Sequence, residues 1–120
     1  MKLALFTVSY GGIWYDGDAL SLKEQIDKAK EMGFDGISIE AKRPVAAPFD
    51  LSEDDLKEVK DYADSQDIEI AAVESMSDFS SKIQEKREND LAMMKLNLEM
   101  ADALGVDVVK VFAAWPGVQW

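Results

Sequence analysis

The sequence predicts a parallel α/β fold: a (βα)3β segment amounting to half of a (β/α)8 barrel. Three observations carry that prediction. Strand-like and helix-like stretches alternate along the chain in the order β-α-β-α-β-α-β, which implies parallel strands joined by right-handed crossovers. The helix-to-strand junctions, Gly33, Asp67 and Gly105, are spaced like a repeated βα unit. The strands share one wholly apolar face, while the other turns polar toward their C-terminal ends.

The elements follow in order within a single unit, residues 1–120. Residues 3–8 are apolar and β-branched, which predicts a strand. The stretch Ser9-Tyr10-Gly11-Gly12-Ile13-Trp14-Tyr15-Asp16-Gly17 then reads as an ordered loop. Ser21 and Glu24 form a capping box that opens a helix over 22–32, with Leu22, Ile26, Ala29 and Met32 on its apolar face and Gly33 as its stop. A second strand spans 34–40. After a loop, Ser52 and Asp55 start a helix over 53–65 that buries Leu56, Val59 and Ala63. A third strand covers 68–74. A long helix over 83–104 has Ile83, Leu91, Met94, Leu98, Ala101 and Leu104 as its predicted inner face, and a fourth strand spans 106–112.

Aligning the strands on their junctions separates the faces. Ile37 and Ile39, Ala71 and Val73, and Val109 and Val111 make an apolar face for helices. Gly36, Ser38 and Glu40, then Ile70, Ala72 and Glu74, then Val108, Lys110 and Phe112 make the mixed one. A doubly wound sheet would be apolar on both faces, whereas a barrel lumen tolerates polar groups at its catalytic mouth. Strand 1 then places Ala4, Phe6 and Val8 toward helices, and Leu5, Thr7 and Ser9 inward.

Glu40 and Glu74 occupy equivalent strand ends, with Lys110 expected one layer deeper. Such a carboxylate pair could ligate a cation or move protons, or form an ion pair with Lys110. Trp14 and Trp115 could floor a sugar pocket or pack the rim. Lys42 and Arg43 could meet a phosphate or carboxylate, or remain solvated.

Composition narrows the chemistry. The chain has no cysteine and no histidine, so disulfides, thiolate sites and imidazole bases are excluded. The net charge of -11 repels phosphate backbones and anionic lipid, so no nucleic acid and no membrane partner is expected. No membrane span and no signal peptide is legible, and a cytoplasmic protein is the default expectation.

The N-terminal Lys2-Leu-Ala-Leu-Phe-Thr-Val-Ser, the strand Gly33-Phe-Asp-Gly-Ile-Ser-Ile-Glu40 and the stretch Gly105-Val-Asp-Val-Val-Lys-Val-Phe-Ala-Ala-Trp-Pro-Gly117 resemble the xylose isomerase-like TIM barrel superfamily, in its sugar phosphate isomerase/epimerase branch. Ser77-Asp-Phe-Ser-Ser and Arg87-Glu-Asn resemble it too. The resemblance implies a complete (β/α)8 barrel, a divalent metal (manganese, magnesium or zinc) and a sugar or polyol phosphate substrate. It implies metal ligands on later strands, and so none in this segment. The expectation is the N-terminal half of a metal-dependent sugar (phosphate) isomerase or epimerase, inactive alone. The alternative is a truncated or engineered half-barrel that closes as a homodimer through its open strand edges, without catalysis.

Overall fold

In the computed structural model, residues 1–114 are described. Four parallel strands stand side by side in sequence order: β1 (Ala4–Phe6), β2 (Gly36–Glu40), β3 (Glu69–Glu74) and β4 (Val109–Lys110). Helices α1 (Leu22–Glu31), α2 (Glu53–Gln66) and α3 (Gln84–Leu104) connect them and cover one face. This is the parallel half-barrel predicted from the alternation of elements.

Local chemistry sets most boundaries. The side chains of Ser21 and Ser52 each accept the N3 backbone N–H, and Glu24 and Asp55 reach back to the cap N–H, so α1 and α2 both start with full capping boxes. α2 and α3 end on left-handed residues, Asp67 at φ 59° and Gly105 at φ 68°. The core lies between the sheet and the helices. Leu5, Ile37, Ile39 and Val73 from the strands meet Leu22, Ile26, Ala29, Leu56, Val59, Ala63, Met100, Ala101 and Leu104.

Several expectations require correction. β1 stops at Phe6, not at residue 8, because residues Thr7–Tyr10 coil into a 3-10 turn. Its facing is also reversed. Leu5 pairs in register with Ile37 and joins the core, while Phe6 pairs with Ser38 on the lumen face. In β3 an irregularity beside Ile37/Ser38 skips Ala71, so that Ile70 pairs with Ile37 and packs against the core instead of lining the lumen. Above that bulge, Ala72 and Glu74 keep the expected facing beside Ser38 and Glu40.

β4 is staggered by two residues relative to a junction-based alignment. Lys110, not Phe112, pairs with Glu74, so Lys110 stands in the same layer as the glutamates rather than one deeper. Stagger of this kind accompanies the strand tilt of barrels. On α3 the inner face is Asn97, Met100, Ala101 and Leu104, whereas Ile83, Leu91 and Leu98 are exposed. Met32, beyond the end of α1, is exposed as well. Among the described residues, no helix is long and apolar enough to cross a membrane.

Candidate functional site

The ends of three adjacent strands bring Glu40, Glu74 and Lys110 into one row across the lumen face. Register does this. Strand side chains alternate, so the pairing Glu40↔Glu74↔Lys110 points all three to the same side at the same height. Phe6, Ser38 and Ala72 form the row beneath.

Both glutamates are nearly buried and both are engaged. Glu74 accepts from the Ser38 hydroxyl on one oxygen and from the Lys110 ammonium on the other. Glu40 lies 3.4 Å from the Lys42 Nζ. Each carboxylate thus has its own lysine, and the row is locally neutral within a strongly acidic chain. Pairing of this kind offsets the desolvation cost of a buried carboxylate. The Lys110 Nζ also lies 5.1 Å from the Phe6 ring centre and 4.9 Å from that of Phe112, within cation–π range.

Hydroxyl groups take over where the backbone ladder stops. Thr7, turned inward by the 3-10 turn, accepts the Glu40 backbone N–H at 2.8 Å. Ser77 in the loop after β3 holds both backbone groups of Phe112. The sequence alone places Ser38 and Thr7 on the lumen side but does not show their partners. The partner of Ser77 is not legible at all, because its reach depends on how the loop folds back. Phe6 was missed because Thr7 and Ser9, read as a continuation of strand 1, set the opposite facing, whereas they belong to the 3-10 turn that follows it.

The remaining candidates lie apart from this row. Arg43 makes a two-pronged pair with Asp50, at 2.6 and 2.7 Å, and stacks over Phe49. The guanidinium holds the Asp50 carboxyl below the usual carboxylate range. Trp14 stands on the loop after β1 with 77% of its surface exposed. Trp115 lies outside the described residues.

Among the described residues no three potential metal ligands gather, and both oxygens of Glu74 are already taken. These groups therefore do not fit a metal centre by themselves.

A family profile described as "Xylose isomerase-like TIM barrel" matches residues 26–120. Among solved structures, a D-psicose 3-epimerase superposes with TM-score 0.71 at 17% identity, over 99% of this chain and 40% of its own. The 3-keto-D-glucoside 4-epimerase YcjR from E. coli gives TM-score 0.70 at 22% identity, with coverage of 99% and 40%. The D-psicose 3-epimerase from Clostridium cellulolyticum H10 gives TM-score 0.70 at 22% identity, with coverage of 100% and 40%. The chain thus spans about 40% of the length of each of these neighbours. Comparison with curated proteins gives no match. With four parallel strands in barrel order and a profile match over most of its length, this chain belongs to the xylose isomerase-like TIM barrel family.

Proposed function

We propose that this chain supplies the first half of the barrel of a sugar isomerase or epimerase, and that it does not turn over substrate alone. One observation carries the reading: Glu40, Glu74 and Lys110 share a layer at the C-terminal ends of neighbouring strands, where barrel enzymes place their reacting groups. Family membership supports it, as do the structural neighbours, which are sugar epimerases. The substrate class is a ketose or its phosphate. The reaction is proton transfer at the carbon beside a carbonyl, in which a carboxylate can take the proton and an ammonium can donate to the oxygen that gains charge. Glu40, Glu74 and Lys110 are suited to hold sugar hydroxyls and that oxygen. Metal ligation falls to residues outside this segment.

The test joins this chain to the later βα units of a family barrel and assays ketose epimerisation with Mn²⁺ added. Glu74→Gln is expected to lower kcat/KM by about a hundredfold, within the range for lost proton-transfer groups. Unchanged turnover in Glu74→Gln, Glu40→Gln and Lys110→Met alike overturns the assignment of this row.

Closure by a second copy is the competing reading. It is favoured by the two sheet edges, since β1 pairs only with β2 and β4 only with β3 among the described residues. Leu91, Leu98 and Val111 stand exposed in the single copy, an apolar surface for whatever closes the barrel to cover. Sedimentation at micromolar concentration separates the two: a stable dimer favours closure by a second copy, and a monomer favours the half-enzyme.

A further inference from the structure

We propose that Glu40 and Lys42 form a subsite for two neighbouring hydroxyls of an unphosphorylated sugar or polyol, which rests on the reading of the mouth as a sugar site and deepens it. Two carboxylates share one layer here and are equally withdrawn from water: the Glu40 side chain is 8% exposed and that of Glu74 is 9% exposed. The fold furnishes them differently. Glu74 has a donor on each oxygen, the Ser38 hydroxyl on one and the Lys110 ammonium on the other. Among the described residues, the one polar contact of the Glu40 carboxylate is the Lys42 Nζ at 3.4 Å. An ammonium–carboxylate hydrogen bond closes to about 2.8 Å, so this pair is balanced in charge without being joined by a short bond. The Thr7 hydroxyl is engaged on the Glu40 backbone N–H, at 2.8 Å, rather than on the carboxylate.

A buried carboxylate is normally supplied with donors, and charge pairing offsets its desolvation only when its remaining lone pairs are also satisfied. Glu40 therefore has acceptor capacity that the described fold leaves unused, at the C-terminal end of β2 on the lumen face. Vicinal hydroxyls can donate to the two oxygens of one carboxylate, while the Lys42 ammonium donates to one of the same hydroxyl oxygens. The Lys42 side chain is 36% exposed, which leaves the pair open to a ligand. Charge argues against phosphate at this position. Lys42, Arg43 and Lys110 each already face a carboxylate, that of Glu40, Asp50 and Glu74 respectively. A phosphate seated on Lys42 would set its charge against Glu40. The part of the sugar held here is therefore a neutral diol.

The experiment is an NMR titration of the isotope-labelled 120-residue chain with D-fructose and, separately, with inorganic phosphate at matched ionic strength. The Glu40 and Thr7 amides are the reporters. D-Fructose is expected to shift both with a Kd of about 10–100 mM, as for a few hydroxyl bonds in an open mouth. Glu40→Gln is expected to weaken binding roughly five- to tenfold, since a charged acceptor becomes neutral and one oxygen becomes a donor. Inorganic phosphate is expected to leave both amides in place. Amides unmoved by D-fructose, so that water alone supplies the donors, overturn the proposal. So does equal affinity in Glu40→Gln, or a response to phosphate that matches the response to D-fructose. Should Glu40→Gln fail to fold, the unaltered chain decides: shifts centred on Glu40 and Thr7 support the subsite, and shifts centred on Lys110 overturn it. Turnover in a closed barrel with Glu40 silent sinks the subsite alone, whereas D-fructose held at Glu40 without turnover sinks the enzyme reading alone.

Discussion

Glu74 and Lys110 face each other in register across β3 and β4 and pair directly, with Ser38 donating to the other oxygen of Glu74. This relationship ties the fold to its mouth, because it depends both on the stagger of β4 and on the alternation of side chains.

Removing the ammonium leaves a nearly buried carboxylate with only a hydroxyl donor. Lys110→Met is therefore expected to destabilise the chain by about 1–2 kcal/mol, at the low end for broken buried pairs because Lys110 is half exposed. Adding Glu74→Gln is expected to recover part of that loss. Urea unfolding of the two single variants and the double variant checks this, and strictly additive losses would show that the pair does not couple.

The capping boxes give the chain an acid-sensitive component. The Ser52 hydroxyl, and then the Ser52 backbone N–H, hold the Asp55 carboxyl below its usual range, and Ser21 does the same for Glu24. A depressed folded-state pKa contributes stability that is full above the unfolded value, about 4, and is lost as pH falls through the folded value. Ser52→Ala is expected to cost about 1 kcal/mol at neutral pH. That cost should shrink, without vanishing, on acidification, since the Ser52 oxygen also accepts the Asp55 N–H. Urea titrations at neutral pH and at about pH 3 compare the two; a pH-independent cost would contradict the carboxylate's part.

The faces of α3 make a paired prediction. Met100 is buried and Leu98, two residues earlier, is 53% exposed. Met100→Ala is expected to cost about 2–5 kcal/mol. Leu98→Gln should stay within about 0.5 kcal/mol of the parent. Equal costs for the two would restore the helix face first expected from the sequence.

Gly36 is a backbone constraint in β2. A Cβ there would run into the Glu69 carbonyl oxygen of the neighbouring strand, and backbone cannot move aside as a flexible side chain can. Gly36→Ala is expected to lower stability by about 1–3 kcal/mol, measured by thermal and urea unfolding.

Much of the fold was legible because its determinants are local. The pairs Ser21/Glu24 and Ser52/Asp55 act within one helical turn, and Gly105 stops its helix through its own φ. Glu40 and Glu74 share a layer because the bulge at Ala71 lies below both of them. What was not legible depends on neighbours. Leu5 and Phe6 are both apolar, so composition could not orient β1. The α3 sequence carries leucine or methionine on more than one face, and only packing selects Met100 over Leu98. The position of Lys110 follows from inter-strand stagger, which no single strand encodes.

The central claim is that this chain holds half of a sugar site. Its most direct test is ketose turnover, with Mn²⁺ present, by the 120-residue chain alone and by the same chain joined to the later βα units of a family barrel. No turnover is expected from the chain alone, and measurable epimerisation or isomerisation is expected from the closed barrel. Robust turnover by the chain alone, or a folded, closed barrel inert toward every ketose tried, would contradict it.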